Sequence, residues 1–332
     1  MGKKPILLLT ALIFIIGVVF LWSEIYLPLN QSSNEIIDFN IQKGQGAKAI
    51  SIGLRNQGLI KHPSIFRFYT SLLGKAKKLQ IGTYELSPAM NIDDMLGKFI
   101  KGDVKKEKIT IIEGWNLKDI AQYFEEKGIC NKEEFFNLVE KDFNQDFNFL
   151  NDKPIGADLE GYLFPDTYKI IPGTAVGEVI KKVLSNFDRK LSSELRQEIA
   201  RQGKSIFEVI TMASLIEREV RTLEDKKLVS GIFWKRLKLG IPLQSCATVV
   251  YITGKKSTEV LTEDTKIDSP YNTYKYRGLP LGPISNPGLD SIVAAIYPTE
   301  SDYLYFLSTP DGTTIFSKTF AEHNKARAKY GI

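Results

Sequence analysis

SIFEVITMASLIEREVR, residues 205–221, decides how this chain is read. Ser205 followed by Glu208 is a capping-box pattern, in which hydroxyl and carboxylate each satisfy a backbone N–H at a helix start. Ile206, Val209, Ile210, Ala213, Ile216 and Val220 recur at helical spacing, so the segment predicts a buried helix. At about 100° per residue, Ile206, Ile210, Ala213, Glu217 and Val220 share one narrow stripe, which places a carboxylate among aliphatic side chains. Burial disfavours the ionised form and moves a Glu from about 4.3 toward the range of roughly 6–7 that suits a general acid. The structural alternative is an internal ion pair with Arg218, Arg221 or a base elsewhere in the chain. Glu219 competes for the same role, since it falls near Leu215 and Met212 on the wheel, whereas Glu208 is used by the cap.

Composition narrows the chemistry available to such a carboxylate. The chain has two cysteines, Cys130 and Cys246, and two histidines, His62 and His323, too few and too scattered for a His/Cys metal cluster. Neither histidine lies in a nucleophile-elbow context, and no Gly-rich phosphate loop is present, so triad and nucleotide chemistry are set aside and no cofactor is expected. The formal charge of +5 comes without a long basic run, which argues against nucleic acid as a partner.

Toward the N-terminus, Lys3 and Lys4 precede an apolar run from Pro5 to Trp22 that is long enough to span a bilayer. The lysines favour a cytoplasmic N-terminus, and the bulky Leu21-Trp22-Ser23-Glu24 does not resemble a signal-peptide cleavage site, so residues 1–28 are read as an uncleaved single-pass anchor. Residues 28–38 read as a polar linker. Beyond it, residues 39–66 match residues 109–136 without a gap, at an offset of 70 residues from Phe39 to Ile109. Each copy reads strand, Gly turn, amphipathic helix, Gly stop, second helix. This βαα outline resembles the LysM-type module, which binds N-acetylglucosamine-containing glycan; two spacer units are the plainer reading. Between the copies, residues 79–88 predict a strand pair and 90–102 a helix capped near Asn91.

On the other side of residues 107–150, LEGYLFPDTYKIIPG (159–173) has the composition of an irregular loop whose Tyr162, Phe164 and Tyr168 suit either stacking on sugar faces or a core position. Helices are expected over 175–191 and 193–202. After Arg221, Thr222 with Asp225 caps a further helix running to Gly240. IPLQSCATVVYITG reads as a loop followed by a β-branched strand, and SPYNTYKYRGLPLGPISNPG (269–288) as a long functional loop. A helix near 289–296, a strand over 303–309, a turn at Asp311-Gly312, the strand TIFS and a last helix to Tyr330 complete the chain.

EGYLFPDTY (160–168), ASLIERE (213–219), LQS with ATVVY (243–251), the 269–288 loop, YLYF (303–306) and EHN (322–324) together resemble the endolytic murein transglycosylases, membrane-anchored enzymes that cut peptidoglycan glycan strands. The resemblance implies an α+β chain: anchor (1–28), LysM-like module (29–106), a second βαα unit (107–150) and a mixed α/β catalytic domain (151–332) with its acid on a buried helix. It carries the catalytic role to Glu217, the first Glu of A-S-x-x-E-x-E, and suggests that Gln244, Tyr271, Asn272, Asn286 and Pro287 line the groove. Cys246 departs from the pattern, because many members have an acidic residue there. The implied reaction is lytic: one carboxylate protonates the bond between N-acetylmuramic acid and N-acetylglucosamine, then the muramic C6 hydroxyl closes a 1,6-anhydro ring. The implied location is the cell (inner) membrane with the catalytic part outside the cytoplasm, where newly made strands and the peptidoglycan synthases are the partners within reach. A glycan-binding scaffold without catalysis, and a hydrolase pairing Glu217 with Glu160, Asp166 or Asp290, are the competing readings.

Overall fold

A computed structural model describes residues 3–255, 260–309 and 311–331, with side chains from residue 8 onward. The chain divides into two compact units, Met1–Glu107 and Lys108–Ile332. The fold is α+β: among the described residues there are 13 α-helices, and the strands form only two-stranded sheets.

In the first unit, α1 (Lys3–Tyr26) contains the stretch Leu8–Tyr26, which is long and apolar enough to cross a membrane. Its far end packs on the unit before the irregular segment 27–36 begins. Ile25 is buried in the core of the unit, and the Tyr26 and Tyr69 hydroxyls lie 3.3 Å apart, with Tyr69 donating to Asp93 at 2.6 Å. The rest of the unit is β1 (Ile37–Ile41), α2 (Ala47–Asn56), α3 (Pro63–Leu72), β2 (Gly82–Leu86) and α4 (Ile92–Lys101). Strands β1 and β2 pair antiparallel with Phe39 opposite Tyr84, so the expected strand pair over 79–88 is a single strand whose partner is β1. Side chains alternate along each strand, and Phe39, Ile41, Tyr84 and Leu86 meet Leu54, Phe66, Met95 and Phe99 in the core.

The second unit begins within β3 (Glu107–Ile111) and continues with α5 (Leu117–Glu126) and α6 (Lys132–Val139). Correspondence with the first unit extends to backbone detail. Gly58 and Gly128 both adopt the left-handed conformation at the end of the first helix, and the following N–H returns to the chain alike, Leu59 to Leu54 and Ile129 to Phe124, each at 2.9 Å. The duplication also runs further than residues 39–66 indicate. Strand β4 (Asp166–Ile170) pairs with β3 as β2 pairs with β1, and is followed by α7 (Val176–Lys190) as β2 is followed by α4. Tyr84 and Tyr168 are both buried and both donate to the carbonyl four residues earlier, Gln80 at 2.8 Å and Phe164 at 2.5 Å. The second copy is interrupted by residues 140–165, and this insertion hides the repeat from a gapless comparison.

Next come α8 (Ser193–Arg201), α9 (Ile206–Glu217), α10 (Leu223–Lys238), α11 (Cys246–Thr253) and α12 (Leu289–Ile296), then the hairpin of β5 (Tyr305–Ser308) with β6 (Thr314–Ser317), and α13 (Phe320–Tyr330). Helices α9, α10 and α12 pack on one another and form the centre of the unit. The expected strand over ATVVY is instead α11, which Gly254 ends in the left-handed conformation. Burial of Ala247, Thr248 and Val249 outweighs the weak helix preference of β-branched residues.

Candidate active site

The capping box forms as the sequence requires: Ser205 Oγ accepts from the Glu208 N–H at 3.0 Å, and Glu208 accepts from the Ser205 N–H at 2.8 Å. The helix then ends earlier than the apolar spacing suggests. Arg218 and Glu219 donate to carbonyls only three residues back, Leu215 and Ile216, so α9 closes in a tight turn after Glu217. Two side chains hold that turn: Arg218 donates to the Gly114 carbonyl at 3.0 Å, and Ser308 donates to the Glu219 carbonyl at 3.1 Å. Glu217 and Glu219 therefore leave the helix in different surroundings.

Glu217 does not sit among aliphatic side chains. Its carboxylate lies 3.2 Å from Lys226 Nζ on α10, and it accepts from the Gly288 N–H at 2.9 Å and the Ser291 hydroxyl at 2.7 Å. The pair is dry, with side-chain exposures of 8% for Glu217 and 4% for Lys226. Gly288 starts α12 without a side chain to cap it, so Glu217 supplies the cap from α9. Three helices meet on this one carboxylate. The ion-pair alternative thus describes its geometry, with Lys226 as the distant base.

Glu219 is in the opposite situation. Its Oε1 accepts from the Ser245 hydroxyl, and burial pushes the carboxyl above the ordinary value despite the lowering effects of that bond, of the Ala247 N–H and of the Arg218 charge. Exposed Cys246 and half-buried Tyr274, whose hydroxyl lies 2.9 Å from Cys246 Sγ, both feel its charge, and exposed Gln244 precedes Ser245 in the chain. Gln244, with φ 55°, is the single non-glycine residue of positive φ among the described residues, and its N–H is tied to the Thr273 carbonyl at 3.0 Å. Strain of this kind, costing about 1–3 kcal/mol, gathers at functional sites. Among the described residues no group of three or more His, Cys, Asp or Glu is placed to hold a metal ion.

Of the other residues suggested for the groove, Gln244 is exposed and Tyr271 is half-buried against Tyr251 at 5.0 Å between ring centroids. Four are interior. Asn272 is fully buried, donating to the carbonyls of Thr265 and Ile267 and accepting from the Tyr274 N–H. Asn286 is equally buried, bonded to Leu163, Trp115 and Glu160. Pro287 is buried, and Tyr162 lies in the core against Phe149 and Phe187 with no exposed surface. The amides of Asn272 and Asn286 are spent on folding the 159–165 and 269–288 segments, while the Tyr162 hydroxyl is buried without a hydrogen-bond partner among the described residues. Phe164 and Tyr168 take the core position as well.

Glu160 belongs to the same interior. It accepts from the Leu117 N–H at 3.0 Å and from Asn286 at 3.3 Å, and burial pushes its carboxyl up to about 8. The folded chain holds this proton to about pH 8, whereas an unfolded one releases it near 4.5, so in that window the folded state binds more protons and stability falls as pH rises. Thermal unfolding from pH 5 to above pH 8 is expected to show this loss, up to roughly 3–5 kcal/mol, and Glu160→Gln to flatten the slope. The neighbouring Gly161 has φ 88°, and a Cβ there would lie 2.6 Å from Pro283 and 2.9 Å from Ile210. Gly161→Ala is expected to cost about 2–5 kcal/mol in denaturant unfolding, from backbone strain and overpacking together.

The YceG-like family pattern matches residues 39–329. The chain belongs to the YceG-like family. The endolytic murein transglycosylase of Bacillus subtilis (strain 168) is 37% identical over 329 residues, covering 95% of this chain and 91% of that protein. The endolytic murein transglycosylase of Streptococcus pneumoniae serotype 2 is 33% identical over 337 residues, and there the YceG-like chain covers 60% of a longer protein. A crystal structure of a yceG-like protein from Listeria monocytogenes superposes with a TM-score of 0.62 at 35% identity, covering 88% of this chain and 99% of that one.

Sequence reasoning missed Lys226, Ser245 and Thr273. A signal for the first existed: Lys226, Val229, Phe233 and Arg236 fall on one stripe of α10, so cations lie on an apolar face as Glu217 does on α9. Arg236 is also buried, donating to the carbonyls of Leu243 at 2.7 Å and Leu304 at 2.9 Å, and it supports the segment that carries Ser245.

Proposed function

We propose that this protein is an endolytic murein transglycosylase, cutting the bond between N-acetylmuramic acid and N-acetylglucosamine in peptidoglycan strands and leaving 1,6-anhydro-muramic ends. Membership of the YceG-like family, with relatives of that name over nearly the whole chain, supports the activity. The observation that carries the mechanism is the carboxyl of Glu219, bonded to the Ser245 hydroxyl, raised by burial and close to exposed Cys246. Glu219, in place of Glu217, donates its proton to the glycosidic oxygen as the bond to muramic C1 breaks. The C6 hydroxyl of the same sugar then attacks C1, and its proton returns to Glu219. The carboxyl is restored and no water is consumed, so no second acid is required. Of the three partners suggested for hydrolysis, Glu160 is interior, Asp166 is bonded to Asn186 at 3.0 Å, and Asp290 is exposed in the first turn of α12.

The apolar helix Leu8–Tyr26 supports a single-pass anchor in the cell membrane, with the catalytic part outside the cytoplasm. The two βαα units are LysM-like in outline and are offered as glycan-binding modules. Strands still close to the bilayer are then the substrate within reach, and peptidoglycan synthases are the neighbours. The test is to incubate the full chain in detergent with purified peptidoglycan. Fragments ending in 1,6-anhydro-muramic acid support the proposal; intact polymer, or fragments with reducing muramic ends, overturn it.

A further inference from the structure

The acid proposed above is held by a second residue that its own helix does not supply. Ser245 is buried at 3% exposure, and its hydroxyl donates to Glu219 Oε1. Its backbone N–H donates to Thr273 Oγ1 at 3.0 Å; that oxygen lies 3.0 Å from Thr248 Oγ1, and Thr248 Oγ1 donates to the Ser245 carbonyl at 2.8 Å. Ser245, Thr248 and Thr273 thus form a closed ring of bonds inside the protein, with Thr273 and Thr248 each no more than 2% exposed. The strained Gln244 beside it is bound to the Thr273 carbonyl. The Ser245 backbone is held at both its N–H and its carbonyl, and its hydroxyl is directed at the Glu219 carboxylate.

We propose that Ser245 is the positioning residue of this acid: its hydroxyl fixes the direction in which Glu219 presents its carboxyl, and Thr273 on the 269–288 loop fixes Ser245. The proposal rests on Glu219 being the acid. The bond also stabilises the ionised carboxylate. The other groups acting on Glu219 or feeling its charge are Arg218 on the same turn, Cys246 on α11 and Tyr274 on the loop, with Arg327 of α13 acting on the last two. Removing the hydroxyl therefore has two separable effects. The carboxyl loses its orientation, and its proton is held to a higher pH.

The experiment compares kcat, KM and pH profiles of the full chain and its Ser245→Ala, Ser245→Thr and Thr273→Val variants on purified glycan strands. Ser245→Ala is expected to lower kcat about ten- to a hundredfold with KM nearly unchanged. The alkaline limb of its profile is expected to move upward by about half to one pH unit, because an acid catalyst works only while protonated. Ser245→Thr keeps the hydroxyl and is expected to restore both readouts; Thr273→Val is expected to reproduce the kcat loss in smaller measure. A purely structural serine would change melting temperature and leave the limb in place, and that result overturns the proposal. So does a Ser245→Ala variant of unchanged kcat. If Glu219→Gln is inactive while Ser245→Ala is normal, only this inference fails; if Glu219→Gln is fully active, the reading beneath it fails too.

Discussion

Glu219→Gln is expected to lower kcat by about 10²–10⁴-fold on glycan strands, the span that a positioned acid contributes, while melting temperature changes little. Glutamine keeps an oxygen to accept from the Ser245 hydroxyl and keeps the shape of the side chain, but it has no proton to deliver. Glycan binding is expected to survive, since the change removes a step and not a surface. Kinetics at several substrate concentrations separate the two. A variant that loses affinity and keeps kcat would make Glu219 a binding residue and leave the reaction without its donor.

The second large effect is on stability. Glu217→Gln leaves the Lys226 ammonium buried without its anion and turns an amide NH₂ toward it, for an expected cost of about 3–5 kcal/mol in denaturant unfolding. Adding Lys226→Met to the same chain is expected to recover most of that loss, because the unpaired charge disappears with its partner. A double-mutant cycle measures the coupling directly. What remains folded of Glu217→Gln is expected to turn over strands at close to the original rate. Unaltered stability together with a collapse of kcat would return the acid's role to Glu217.

These two outcomes separate what the sequence can and cannot say about one stretch of seventeen residues. Ser205, Glu208 and the apolar spacing determine a buried helix, because capping and periodicity are local properties, and the helix is there. Whether Glu217 or Glu219 is the acid depends on where α9 stops, and that is set by Arg218 reaching Gly114 and by Ser308 reaching the Glu219 carbonyl, contacts from distant parts of the chain. The same limit explains α11: ATVVY has strand chemistry, but its burial in the unit makes it helical. It also explains Asn272 and Asn286, whose polar side chains look available in sequence and are used up inside loops. The repeated βαα units were legible because their glycines recur at one spacing, and the pairing of β3 with β4 across the 140–165 insertion was not.

The most direct measurement is cleavage of purified glycan strands by the full chain in heavy-oxygen water, with mass spectrometry of the muramic ends. A single carboxyl that returns its proton through the sugar's own hydroxyl predicts anhydro ends free of solvent oxygen. Muramic ends heavier by one labelled water would contradict it, and would require a second group to activate that water.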